Sequence, residues 1–569
     1  MQPKHLKDTL LLFVLLATRR LLSIKSLKDI KLKIFDATLW ILVASIFYNW
    51  AIIYLGLIIY PNRIGIKRMD ILMGHIISWM ILVPFLGIGI LAFVRDGEWI
   101  RRIAFGSTMV EFFLSLVLWR SFDFTQQGMQ FVERMEWMPT FNIQYAVGVD
   151  GISILLVILT ALLCPLCVLC SWNAITTRVR AYLSLILLVE GAMIVVFTAL
   201  DLFLFFMLWE VTMIPMYFMI ILWGGPNRNT AGIKFVLYSL TGSLLLLVGI
   251  LGLYLEGGHT YDLLVLSEQT YPSTTQFWLF LALFLAFAIK MPMVPFHTWL
   301  PDAHSEAPTA GSVILAGVLL KMGGYGFLRF CLPMFPEASA QFAPYILWLS
   351  VFGIIYGGYM ALAQSDLKKL VAYSSVSHMG FVTLGIFVFN SQGIQGAILQ
   401  MFNHGITTAA LFITVGILYD RTHSRAISDY GGLHKPMPKF VAFFFLFSVA
   451  AFGLPGTCNF IGEFLVLVGT SYVSFPMVLI SMGGIVLAAA YMLWMLQRLA
   501  LGEPSTKAAG VLPDLTTREL ASVIPLAVLV LWIGLYPGPL MEMMDASVTH
   551  LVQQMAASQS NIPALTAIR

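Results

Sequence analysis

From residue 73 onward the chain alternates long apolar runs with polar connections. Fourteen runs centre on 73–94, 103–121, 150–171, 180–199, 201–223, 232–255, 277–297, 309–330, 344–364, 369–389, 394–418, 439–468, 475–498 and 520–537, and one more lies ahead of them near 37–60. A hydrocarbon layer about 30 Å thick is crossed by about 20 residues of helix. Backbone groups in lipid must bond within their own segment, and runs of this length are too long for barrel strands, so the pattern predicts helices. The expected fold is an all-α polytopic membrane protein with fourteen core helices and one extra N-terminal helix.

Composition agrees. Of 569 residues, 59% are hydrophobic and only 11% charged, more apolar surface than a water-soluble core absorbs. The net charge of +4 has no dense basic tract beyond the N-terminus, which excludes a nucleic-acid surface. Lys and Arg fall in alternate connections: Arg95, Arg101 and Arg102, then Arg178 and Arg180, Arg228, Lys368 and Lys369, Arg421, Arg425, Lys435 and Lys439, then Lys507 and Arg518. The opposite set carries little beyond Arg134, with Arg120 and Arg329 at helix ends. The basic set is therefore assigned to the cytoplasmic side. Three regions are expected: a basic extension over 1–70, a membrane domain over 71–540 and a C-terminal tail over 541–569. The extension has too long a basic region and too extended an apolar stretch for a removable signal.

Cys164, Cys167 and Cys170 have a spacing that superficially suits an iron–sulfur cluster. They lie inside an uninterrupted apolar span, where thiolates are very costly, and Cys331 and Cys458 sit in unrelated segments. A packing role is expected, with any redox groups on other chains. Metal-ligand spacings of His and carboxylate are likewise not met.

The informative residues are charges inside the spans: Glu111, Glu190, Glu210, Lys234, Lys290, Lys321, His378, His404 and Glu463. Each isolated charge at mid-bilayer costs at least ~2.5 kcal/mol. Glu210 has no basic neighbour in its own span, and Lys290 is its expected partner across helices, a pairing whose distance would load or release a proton. Pro292 and Pro295 follow Lys290 and break the seventh span, while Gly453, Pro455 and Gly456 break the twelfth about two turns before Glu463. Two broken, charged spans five positions apart imply duplicated five-helix units, inverted because five is odd. Lys321 lies among small residues that permit close helix contact. His378 and His404 are expected to relay protons, with Ser374, Ser375, Ser377 and Asn403 supplying a polar lane. His297, Asp302, His304 and Glu306 cluster in a connection, where coupling or capping is expected. In chain order Glu210, Lys290, Lys321, His378, His404 and Glu463 form a candidate proton line.

The segments LWEVTMIPMYF, AFAIKMPMVPFHTWLPDAHSEAPTAGSVILAGVLLK, SDLKKLVAYSSVSHMGF and GLPG with NFIGEF resemble the antiporter-like proton-pumping chains of respiratory complex I over about residues 70–540. The resemblance implies an antiporter-like core of fourteen helices with two inverted five-helix repeats and discontinuous helices seven and twelve. It implies that Glu210 and Lys290 form an ion pair, that Lys321 connects, that His378 and His404 link, and that Glu463 is the terminal acid. NADH, FMN, iron–sulfur clusters and quinone would belong to partner subunits, with no cofactor or metal on this chain. Partners would be other membrane subunits, including homologous antiporter-like chains, in a bacterial inner membrane. A glutamate rather than a lysine on the twelfth span sets the chain in one branch of the family. The alternatives are a subunit of a multi-subunit cation/proton antiporter or of a membrane-bound hydrogenase complex.

Overall fold

The computed structural model describes residues 74–503 and 512–559. The basic extension and the helix expected near 37–60 lie outside the described residues. Every expected run from 73 to 537 falls on a helix or a pair of helices. In chain order these are α1 Ile76–Phe93, α2 Gly97–Ser121, α3 Ile154–Ser171, α4 Val179–Thr198, α5 Leu202–Trp223, α6 Arg228–Glu256, α7 Ser273–Lys290, α8 Trp299–Glu306 and α9 Thr309–Met334. There follow α10 Pro336–Leu362, α11 Leu367–Phe387, α12 Ser391–Thr422, α13 Pro438–Ala451, α14 Cys458–Ser471, α15 Phe475–Ala500, α16 Thr517–Leu535 and α17 Gly538–Gln559. Thirteen of these described helices are long and apolar enough to cross a membrane, and α13 and α14 are shorter apolar helices in series.

Polar residues set the helix starts. Asp201 accepts from the Phe203 and Leu204 amides, Asp96 from Glu98 and Trp99, and Asn390 from Gly393, each at 2.9 Å, which satisfies amides that a helix start leaves bare. Thr516 and Glu519 close a reciprocal capping box on α16.

Both expected breaks are present. After Lys290 the chain leaves the helix through Pro292 and Pro295 and resumes at Trp299, whose indole donates to the Ile289 carbonyl at 2.9 Å. Between α13 and α14, Gly453 and Gly456 take φ of +76° and +91°, a region that L side chains avoid. The Asn459 amide donates to the Ala451 carbonyl at 3.4 Å. A third irregularity has no Gly/Pro signal of the same kind: α9 widens to π-helical turns over Leu315–Leu319 and Phe327–Cys331.

Two elements are additional to the expected pattern. Residues Gln130–Met138 (β1) and Ile143–Val149 (β2) form an antiparallel hairpin, pairing Met135 with Tyr145 and Arg134 with Ala146, closed by left-handed Asn142. Its charged positions are spent on helix ends. Glu133 accepts from the Ile77 amide at 3.0 Å, Asp201 accepts from the Gln144 amide at 2.9 Å, and Arg134 bonds Asp262. The segment after 540, expected only as a tail, forms α17, and its Ser547 hydroxyl accepts from the Gly151 amide at 3.0 Å.

A close backbone approach joins α12 to α14 through Gly393, Gly396, Gly462 and Gly469. A Cβ at Gly462 would lie 2.9 Å from the backbone of Gln400, and one at Gly396 would lie 2.6 Å from the Val466 nitrogen. Small residues let two backbones touch, and this contact sets Glu463 beside Gln400. Gly462→Val should therefore destabilise the purified assembly by about 1–3 kcal/mol. Thermal unfolding in detergent reads this, and an unchanged midpoint would contradict the contact.

Candidate functional site

Four of the six expected residues form one connected polar track within the apolar bundle. Lys321 lies within α9 just after its first π-helical turn and is fully buried. The wider turn places the Ala316 carbonyl where the Lys321 ammonium donates to it. The same ammonium lies 2.8 Å from His404 Nδ1. An ammonium has donors only, so a charged Lys321 makes this nitrogen the acceptor. The His404 and His378 rings are 5.6 Å apart. His378 Nδ1 then lies 2.8 Å from Glu463 Oε1, which also accepts from Gln400 Nε2 at 2.8 Å. His404 Nε2 and His378 Nε2 have no hydrogen-bond partner among the described residues.

The spatial order is thus Lys321, His404, His378, Glu463, which reverses the two histidines relative to the chain order. The reason is packing. Helix α12, which bears His404, touches α9 at its π-helical turn, whereas α14 brings Glu463 against both α11 and α12. Along the expected polar lane, Ser374 and Ser375 donate to the Val371 carbonyl, Ser377 to that of Ile354, and Asn403 to that of Cys458.

Glu210 and Lys290 stand apart from this track. Lys290 is buried at the last position of α7, with its ammonium 5.1 Å from the Trp209 ring centre, a cation–π arrangement. Its carboxylate partner is near enough to act on it electrostatically but makes no ion-pair contact within 4.0 Å, and Glu210 Oε1 has no hydrogen-bond partner among the described residues. The closed ion pair expected between them is therefore absent from this state. A cavity lined by Trp209, Ser239, Ser243 and Lys290 adjoins the ammonium. The end of α7 packs on α9, where a Cβ at Gly323 would lie 2.7 Å from Met291 Cβ and from the Phe287 carbonyl.

The cluster after the seventh span does couple elements. Lys234 pairs with Asp302 at 2.8 Å, and Arg425 reaches Glu306 at 3.6 Å and Asp366 at 3.4 Å. Lys368 donates to the Ala307 carbonyl at 2.7 Å. His304 departs from the coupling and capping role expected of that cluster. It is fully buried, stacks on Phe412 at 4.9 Å, and has both ring nitrogens unpartnered among the described residues. Helical spacing held the signal: Asp302 and Glu306 share one face at i, i+4, and His304 between them points the other way. Among the cysteines, Cys167 donates to the Ala310 carbonyl at 3.8 Å and Cys170 to that of Cys167 at 3.3 Å.

His378→Ala and Glu463→Ala should each lower the unfolding free energy of the assembly, and the double variant should lose less than the sum by about 1–3 kcal/mol. Strictly additive losses in a double-mutant cycle would show that the two side chains are not coupled.

Known proteins carry the same arrangement of segments. Residues 199–489 match the family model for the transmembrane region of NADH:quinone oxidoreductase and Mrp antiporters, and residues 79–198 match that for the amino terminus of NADH-ubiquinone oxidoreductase chain 4. The chain is 44% identical over 517 residues to NADH-quinone oxidoreductase subunit M of Rhodobacter capsulatus, covering 87% of this chain and 100% of that one. It is 46% identical over 480 residues to NADH-ubiquinone oxidoreductase chain 4 of Arabidopsis thaliana, covering 84% and 97%. Among solved structures, a chain of respiratory complex I from Thermus thermophilus superposes with a TM-score of 0.76 at 32% identity, over 84% of this chain and 99% of that one. A chain of the Mrp complex from Dietzia sp. DQ12-45-1b reaches 0.75 at 20% identity, over 85% and 99%, a likeness of fold. Motifs, fold and relatives converge, and the chain belongs to the antiporter-like membrane subunits of NADH:quinone oxidoreductase, in the branch of subunit M and chain 4.

Proposed function

We propose that this chain, a proton-translocating membrane subunit of NADH:quinone oxidoreductase, moves protons along Lys321, His404, His378 and Glu463, with Glu210 and Lys290 as the switch that drives them. The observation that carries the reading is the pair of 2.8 Å contacts that join Lys321 to His404 and His378 to Glu463. Lysine, imidazole and carboxylate differ in proton affinity, and imidazole both accepts and donates through its two nitrogens. A proton leaving Lys321 is taken by His404 Nδ1. His404 Nε2 passes one toward His378, and His378 Nδ1 delivers one to Glu463. Ring-to-ring transfer is the single step without a direct hydrogen bond.

The open spacing of Glu210 and Lys290 fits a switch. At an effective dielectric constant of 20, opposite charges 4 Å apart attract by about 4 kcal/mol and at 8 Å by about 2 kcal/mol. Opening or closing the pair therefore changes the proton affinity of the lysine by more than tenfold. The cation–π contact with Trp209 supplies a second resting place for the ammonium when the carboxylate is distant. Break residues Pro292 and Pro295, next to Lys290, give that end of α7 freedom that an unbroken helix lacks.

In this reading NADH, FMN, the iron–sulfur clusters and quinone reside on partner subunits, and this chain contributes translocation within a bacterial inner membrane. Its neighbours there are other membrane subunits, homologous antiporter-like chains among them. The basic stretch over 1–70 is a separate contact region.

Glu210→Ala and Lys290→Ala should cut redox-coupled proton uptake severely in membranes whose content of assembled complex matches the parent. Near-normal pumping in both variants would remove the switch. At the other end, Glu463→Gln should impair pumping more than Glu463→Asp, because only the latter keeps a titrating group. Equal pumping by all three forms would take Glu463 off the path.

A further inference from the structure

Glu111 and Glu190 belong to neither the switch nor the track. Glu111 lies near the middle of α2 and Glu190 near the middle of α4, two helices in contact, and both residues are 0% exposed. The two carboxylates act on each other. The Cys164 thiol of α3, itself buried, faces both of them, and Cys167 lies one turn further along near Glu190. Cys164 is the side chain turned to Glu190, and no lysine, arginine or histidine among the described residues pairs with either carboxylate.

Thr108, Glu111 and Ser115 share the buried face of α2 at helical spacing. The Thr108 hydroxyl donates to the Phe105 carbonyl at 3.0 Å and that of Ser115 to Phe112 at 2.7 Å, so neither hydroxyl proton is given to Glu111. A buried carboxylate without a counter-ion binds a proton rather than remain ionised, and two in one pocket cannot both stay charged. We propose that Glu111 and Glu190, with the Cys164 thiol beside them, form a second proton-binding site, a carboxylic-acid dyad whose two members together hold at least one proton.

The dyad is next to the track and insulated from it. Helix α3 turns Cys164 toward the dyad, while Leu159 and Leu163 press on Gly405 and Gly317, the helix positions beside His404 and Lys321. No hydrogen-bonded route joins the two places among the described residues. The site is a store, separate from the conduit.

Infrared spectroscopy of the purified complex at neutral pH tests this. The parent should show a protonated-carboxyl C=O band, sensitive to deuteration, that weakens in Glu111→Gln and in Glu190→Gln and loses the dyad's whole contribution in the double variant. A double variant with the full parental band would overturn the proposal, because the carboxylates would then carry no proton. Should the Gln variants fail to assemble, Glu111→Asp and Glu190→Asp keep the acid and should shift the band, and an unshifted band in both would equally sink it. Loss of the parental band on adding sodium, with choline as control, would instead mark a cation site and refute proton occupancy.

Discussion

Hydrocarbon supplies neither hydrogen bonds nor counter-ions, and the structure of this chain follows from how it meets that constraint. Wherever the helical ladder is interrupted, a side chain of this same protein takes up the loose group: the Trp299 indole at Ile289, the Asn459 amide at Ala451, the Lys321 ammonium at Ala316. A free backbone group in lipid costs several kcal/mol, so each interruption needs its own partner. The interruptions are also where the charges sit. Lys290 ends one half-helix, Lys321 follows a π-helical turn and Glu463 lies in the half-helix after a break.

The charged track is held by the same economy. Each of its hydrogen-bonded links uses a group that has another partner: Ala316 for Lys321 and Gln400 for Glu463. Residues with two partners give up a proton without being left bare in a dry interior. The serines nearest His378 are absent from the network because their hydroxyls serve helix carbonyls, as is common for Ser inside membrane helices.

Much of this architecture was legible in the sequence because its signals are local. Apolar runs of one length class placed the helices, and the Pro and Gly positions placed both breaks. Nine titratable residues inside the spans stood out simply for being placed where charge is costly. What the sequence did not carry was the geometry between helices. His404 precedes His378 along the track because of which helix α12 packs against, a fact without a periodicity. Glu210 and Lys290 were matched by sign and span, yet a matching pair of signs does not say whether the pair is closed. The π-helical turns of α9 contain no proline, so nothing announced them. The hairpin over Gln130–Val149 has no apolar run long enough to mark a helix, and its role shows only in the contacts of Glu133 with α1 and of the Gln144 amide with Asp201 beside α5.

The glycine contact between α12 and α14 has a mechanical consequence. With backbone against backbone at Gly396 and Gly462, one helix cannot slide or roll past the other without steric collision. His404 and Glu463 are therefore carried by one closely packed helix pair, so neither side chain can be displaced without the other helix following.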